Sequence, residues 1–264
     1  MNLKEKLKQG PVFGMACYSG VTAVIEMIGM SGLDFIYLDT EHTVCSVNET
    51  FEKQIMAAKL HDIAVLARVP ADDPVAIRKV LEWGADGVII PHCTNAEMVK
   101  ACVQAAKFAP MGRRGAESCV RAAGYGYGDF DWNEYMRKQN EDTMVIAMDE
   151  DFEFTQNIDE ILAVPGIDAV NFGPVDYANS LCQKIGYAMG EDVKKAFDVL
   201  VEKASPKGIG RLGPAASCTE EGVKQAIAKG YDMGILGNDM MHFNGALKNL
   251  MNQVVGPVKE GLKD

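Results

Sequence analysis

The chain has 264 residues, 48% hydrophobic and 24% charged, which provides for a folded core and excludes a disordered chain. No apolar run approaches the roughly 20 residues that span a bilayer. The opening Met1-Asn2-Leu3-Lys4-Glu5-Lys6 has neither the apolar stretch nor the small-residue site of a secretory signal, so a cytoplasmic protein is expected. With a net charge of −11 and no basic cluster, binding to nucleic acid or a membrane surface is not expected, and an anionic substrate needs a local device to hold it.

Eight short apolar runs stand out in chain order: 12–16, 35–38, 63–67, 87–90, 144–147, 169–172, 208–212 and 233–236. Most are apolar on both faces, as buried parallel strands are. Between them lie stretches of helical period, among them 46–60, 74–83, 95–107, 151–162, 190–204 and 218–229. Gly32-Leu33-Asp34, Gly84-Ala85-Asp86, Gly166-Ile167-Asp168 and Gly230-Tyr231-Asp232 stand before the second, fourth, sixth and eighth runs. A glycine there can end a helix in the left-handed conformation before the chain turns into a strand. Eight βα units in 264 residues (264/8 = 33 each) favour an α/β fold of the (β/α)8 TIM barrel type, one domain over 1–264.

The longest interruption, 108–142, carries Gly112, Gly115, Gly124, Gly126 and Gly128 with Tyr125, Tyr127, Phe130 and Trp132; a subunit interface is expected there before a substrate contact. Seven scattered cysteines without a Cys-x-x-Cys spacing suggest reduced, mostly buried thiols and no structural zinc.

In such a barrel the chemistry sits where strands end. Those ends read Asp39-Thr40-Glu41-His42, Arg68-Val69-Pro70, Pro91-His92, Met148-Asp149-Glu150-Asp151, Gly173-Pro174-Val175-Asp176 and Gly237-Asn238-Asp239. Glu150 and Asp176, on neighbouring strand ends, suit Mg²⁺ or Mn²⁺ as hard oxygen ligands, or else cap helices. Arg68 fits an anion or polarised carbonyl, or a structural ion pair. His42, and less so His92, can serve as a general base, whereas His61 and His242 read as structural. The Gly173-Pro174 turn can aim the amides of Val175 and Asp176 at a carboxylate. No dinucleotide fingerprint, Walker loop or nucleophile elbow occurs.

Together the strings Leu38-Asp39-Thr40-Glu41-His42, Ala67-Arg68-Val69-Pro70, Gly84 to Pro91, Ala109 to Gly115, Glu150, and Gly166 to Asp176 resemble the HpcH/HpaI family of metal-dependent class II pyruvate aldolases, from the first strand to the eighth. The resemblance implies a (β/α)8 barrel, often hexameric, using Mg²⁺, Mn²⁺ or Co²⁺. Glu150 and Asp176 fall on the metal ligands, Arg68 on the arginine that steadies the 2-oxo oxygen, and His42 on the catalytic histidine. Glu82 falls on that histidine's acidic partner, and Gly173, Pro174, Val175 and Asp176 fall where the pyruvate carboxylate is held. It implies cleavage of a 4-hydroxy-2-oxoacid to pyruvate and an aldehyde. Malyl- or citryl-CoA lyase chemistry, oxaloacetate decarboxylation and a non-catalytic binding role are the alternatives.

The chain departs from the family pattern in four places. Glu82 replaces an aspartate, at a helix end that should face the rim opposite the site. Met148 replaces a glutamine, Ala178 a serine, and His92 an apolar residue. These changes bear on the aldehyde partner more than on the enolate chemistry.

Overall fold

The computed structural model describes residues 1–70, 73–182, 190–215 and 217–262. Eight strands, β1 (Val12–Cys17), β2 (Phe35–Asp39), β3 (Ala64–Arg68), β4 (Gly87–Ile90), β5 (Met144–Asp149), β6 (Ala169–Phe172), β7 (Gly210–Pro214) and β8 (Met233–Asn238), close into a barrel in sequence order, every neighbouring pair parallel. Alternation along the strands sorts their side chains. Phe35, Tyr37, Leu66, Ile89, Ile146, Met148, Leu212 and Met233 fill the barrel interior, while Ile36, Leu38, Val65, Ala67, Val88, Ile90, Val145 and Ala147 meet the surrounding helices.

The expected helices form at Glu49–Ala58, Pro74–Glu82, Ala96–Ala106, Phe152–Gln156 with Ile158–Ile161, Glu191–Ala204 and Glu220–Lys229. The interruption 108–142 contains a 3₁₀ segment, Arg121–Gly126, and an α-helix, Trp132–Asp142, capped by the Asp131 side chain. Phe108, Phe130, Trp132 and Tyr135 pack on one another, while Tyr127 is almost wholly exposed. This excursion lies between a helix end and the start of β5, at the rim opposite the strand C-termini. The seven cysteines are free, but Cys119, Cys182 and Cys218 are exposed, which corrects the expectation of mostly buried thiols: they sit on loops, where no core claims them. Among the described residues no helix is long and apolar enough to cross a membrane.

The Gly-x-Asp repeat builds the lower rim. Gly32, Gly84, Gly166 and Gly230 adopt φ of +85°, +104°, +97° and +109°, the region that favours glycine. The amide of each following aspartate donates to the first turn of the preceding odd strand: Asp34 to Phe13, Asp86 to Val65, Asp168 to Val145 and Asp232 to Arg211. Each carboxylate accepts the amide of that same residue, at 2.9, 2.7, 2.9 and 2.6 Å. Each also pairs with a cation: Lys6, Lys59, Lys4 and Arg211 respectively. The result is a fourfold ring of clasps that ties odd strands to even ones.

Candidate active site

Asp39 and Arg68 end β2 and β3 side by side in register. Arg68 Nε donates to Asp39 Oδ1 at 2.5 Å, and its Nη1 lies 2.7 Å from Glu41 Oε2. The amides of Glu41 and His42 donate to the two oxygens of Asp39 at 3.1 and 3.0 Å, so the loop after β2 wraps the carboxylate that holds the arginine. The guanidinium also lies over the Tyr37 ring, 5.6 Å from its centroid. Burial opposes the charge on Arg68, but Tyr37, the Asp39 hydrogen bond, and the charges of Asp39 and Glu41 outweigh it and hold the group above its ordinary value. Arg68 is thus a fixed, permanently charged fork at the mouth of the barrel.

His92 follows β4 with φ of +52°, a left-handed conformation that is uncommon outside glycine. Its amide donates to Glu150 Oε1 at 2.7 Å, its Nδ1 lies 2.9 Å from Asp151 Oδ2, and its Nε2 lies 3.5 Å from Glu41 Oε1. The residue bridges the ends of β2 and β5. Burial works against its positive charge, but the Asp151 hydrogen bond and the neighbouring Glu150, Asp151 and Glu41 charges win and raise its pKa.

Glu150 is 1% exposed. Burial pushes its carboxyl up, partly offset by the His92 amide and ring. Gly173 makes room for it: a Cβ there would stand 2.8 Å from Glu150 Cβ and 3.0 Å from Oε2. Pro174 then opens the helix Pro174–Ser180 after β6. Val175 is exposed and Asp176 half-buried, and their amides, in the first turn, have no intrahelical acceptor. Among the described residues the Asp176 carboxylate has no hydrogen bond or ion pair.

This rim therefore carries Asp39 and Glu41 on the Arg68 guanidinium, Glu150 and Asp151 beside His92, and Asp176 in the first turn of the helix after β6, a surplus of negative charge that a bound cation would balance. No three or more His, Cys, Asp or Glu among the described residues are arranged to hold an ion by themselves. A hard divalent ion held by two carboxylates and completed by substrate oxygens and water fits that donor set.

His42 lies on the loop after β2, its side chain 54% exposed, with Nε2 3.7 Å from Glu41 Oε2. Glu82 ends the helix Pro74–Glu82 at the opposite rim, 3.6 Å from Arg78 Nε and close to Arg114 and Tyr135. Within one chain the two residues do not meet. Asp39, Glu41 and Asp151, which stand in the strand-end strings with no role of their own, position Arg68 and His92. For Asp39 the signal was available, since aligned strand ends put it opposite Arg68.

A (β/α)8 barrel with a fixed arginine and hard carboxylates on its upper rim is the architecture of an enzyme that stabilises an oxyanion beside a divalent ion. The family model for HpcH/HpaI aldolase/citrate lyase matches residues 15–246, and the chain belongs to that family. A 2-dehydro-3,6-dideoxy-6-sulfogluconate aldolase from Pseudomonas putida is 31% identical over 235 residues, 88% of each chain. A 5-keto-4-deoxy-D-glucarate aldolase from Shigella dysenteriae is 30% identical over 240 residues, 89% of this chain and 90% of the relative. The crystal structure of citrate synthase SbnG superposes with a TM-score of 0.83 at 28% identity, covering 100% of this chain and 99% of that one. The chain is a class II aldolase, a carbon–carbon lyase.

Proposed function

We propose that residues 1–264 form one cytoplasmic catalytic domain that cleaves a 4-hydroxy-2-oxoacid to pyruvate and an aldehyde, with Glu150 and Asp176 holding a divalent ion, Mg²⁺, Mn²⁺ or Co²⁺. The observation that carries this reading is the clamped Arg68 fork beside the buried Glu150 carboxylate. When bound, the ion supplies Lewis-acid polarisation of the 2-oxo group. Arg68 adds fixed positive charge where the oxygen of the pyruvate enolate gains negative charge. The amides of Val175 and Asp176, with Gly173 and Pro174 setting the turn, orient the substrate carboxylate. His42 takes the proton of the C4 hydroxyl; the C3–C4 bond breaks, the aldehyde carbonyl forms, and the electron pair passes to C3 as the enolate. Protonation at C3 completes pyruvate.

The lower-rim position of Glu82 and of the aromatic excursion suits contact with another copy of the chain. We assign Glu82 to the His42 of a neighbouring subunit in a homo-oligomer, a hexamer by family resemblance. The names of the relatives make deoxy sugar acids the first substrates to try. The test is deuterium exchange into the pyruvate methyl group, followed by NMR with Mg²⁺ or Mn²⁺, with EDTA, and with Glu150→Ala. Metal-dependent exchange that both controls abolish supports the enolate chemistry. No exchange with any metal overturns it and turns attention to a thioester lyase.

A further inference from the structure

Two tyrosines flank the Arg68 guanidinium, and the fold treats them differently. Tyr37 is sealed beneath it in the barrel interior and offers its ring face. Tyr18 follows β1 and is only half-buried. Alternation along β1 turns Val12 and Ala16 into the barrel and Met15 and Cys17 toward the helices. Tyr18 therefore points inward again, and it packs on the interior cluster. Ala16 lies opposite Tyr37 in register, and Asp39 lies opposite Arg68. Two residues past Ala16, the same register sets Tyr18 beside Asp39, so Tyr18, Asp39 and Arg68 stand at one level at the mouth of the barrel. The Tyr18 phenol is within hydrogen-bonding distance of the guanidinium.

The loop that carries Tyr18 is fixed on both flanks. On one side the Asp239 carboxylate, after β8, accepts the amides of Tyr18 and Ser19 at 2.7 and 3.1 Å and lies 3.5 Å from the Cys17 thiol. On the other side the Gln54 side-chain amide donates to the Gly20 carbonyl at 2.9 Å. Gly20 has φ of +66°, and a Cβ there would stand 2.5 Å from Cys45 Sγ and 2.7 Å from Gln54 Nε2. A ring on a clamped loop needs no reordering when a substrate arrives.

Arg68 leaves a task open for such a group. The guanidinium is paired to Asp39 and Glu41, two negative charges on one positive one. That pairing fixes the fork and also weakens its pull on a further oxygen. A neutral hydroxyl adds a donor without adding charge. Burial raises the phenol pKa; the charge and hydrogen bond of Arg68 work against this, Asp39 and Glu41 work with it, and the O–H keeps its proton. The phenol oxygen accepts from Arg68, which leaves its own proton to donate.

We propose that Tyr18 is a further catalytic residue: its phenol donates a hydrogen bond to the C2 oxygen of the substrate as that oxygen becomes the enolate oxygen, beside Arg68, and Asp239 is the residue that positions it. Tyr18 keeps its proton throughout, so proton transfer stays with His42. The proposal rests on the enolate reading given above and adds a second protein donor at the C2 oxygen.

The test is deuterium exchange into the pyruvate methyl group with Mn²⁺, for the parent and for Tyr18→Phe, which keeps the ring and removes the hydroxyl. Exchange should fall by about 10²-fold, the size of one lost oxyanion donor, with an unchanged circular dichroism spectrum. KM for pyruvate should stay within about threefold, because the bond strengthens only as the enolate forms. Oxalate, a planar dianion shaped like the enolate, should bind Tyr18→Phe more weakly in calorimetry at fixed Mn²⁺, by a factor that pyruvate does not share. A Tyr18→Phe chain that exchanges as fast as the parent overturns the proposal. So does a rise in KM at an unchanged rate, or an equal loss of affinity for oxalate and pyruvate, since either makes Tyr18 a ground-state contact. A parent that exchanges with no metal overturns the enolate reading and the proposal with it, and the parent alone distinguishes that result. Asp239→Asn, close in size and without the charge, should lower exchange less than Tyr18→Phe. The double variant should be no slower than Tyr18→Phe alone. If the two losses multiply, Asp239 does not act through Tyr18, and that part of the proposal is overturned.

Discussion

The two rims of the barrel carry similar numbers of carboxylates and use them in opposite ways. At the lower rim Asp34, Asp86, Asp168 and Asp232 each accept a strand amide and pair with a lysine or arginine, the same clasp four times. At the upper rim Asp39 and Glu41 pair with Arg68, Glu150 and Asp151 face His92, Asp176 stands apart from both, and no motif repeats. Repetition is what a structural ring needs, because every βα pair poses the same closure problem. A reacting substrate is asymmetric, so its site cannot be periodic. The charge imbalance marks the rim where something must bind.

Substitutions at the two rims should therefore separate activity from stability. The largest effect is expected for Glu150→Ala: metal-dependent exchange of the pyruvate methyl protons should fall by about 10³-fold or more, with little change in Tm once the metal is removed. Next comes Arg68→Lys, which keeps the charge and loses the fork. It should lower kcat by roughly 10²–10³-fold. If activity survives it, Arg68 is a structural clamp for Asp39 and no more. At the lower rim Asp86→Ala removes the acceptor of the Val65 amide and the partner of Lys59. Urea denaturation should show a loss of about 2 kcal/mol, with kcat near that of the parent. A fall in kcat without a fall in stability would break the division between the rims.

Most of this division was legible in the sequence, for physical reasons that differ along the chain. The strands could be read because they are buried on both faces, and each apolar run falls within a residue or two of its strand. The Gly-x-Asp repeat is visible in the sequence, where its glycines have a local role as helix ends and its aspartates have none. That its aspartates clasp the odd strands depends on pairing across about 21 residues, which composition does not show. The helix Trp132–Asp142 carries no apolar period to read, because its residues are mostly polar and none of them is buried. Arg68, Glu150 and Asp176 could be picked out as charged residues at the ends of apolar strands. Of the partners of Arg68, Asp39 could be read from the aligned strand ends, whereas Glu41 could not, since it depends on how the loop after β2 folds back. The distance between His42 and Glu82 follows from the barrel itself: a helix that returns the chain to the lower rim carries its last residue away from the upper one.

One upper-rim acid belongs to neither scheme, and it supplies the finest test of the comparison. Asp149 lies between Met148 and Glu150, which face the barrel interior, so alternation turns it outward toward the helices. It is 0% exposed, and among the described residues neither of its oxygens has a hydrogen-bond partner. Burial, and then the charges of Glu150 and Asp151, push its carboxyl well above the ordinary value of 3.8. The unfolded chain ionises near that value, while the folded chain keeps the proton to higher pH. The unfolded state therefore holds fewer protons above about pH 4, and stability falls as pH rises toward the folded pKa. Asp149→Val, close in volume and suited to a strand, removes this slope. In EDTA it should be more stable than the parent by about 1–3 kcal/mol at pH 8, and the gain should shrink toward pH 4. Urea denaturation at pH 5 and pH 8 measures both. A gain that stays constant with pH would mean that Asp149 is ionised in the fold, and the upper rim would then hold one more unbalanced charge.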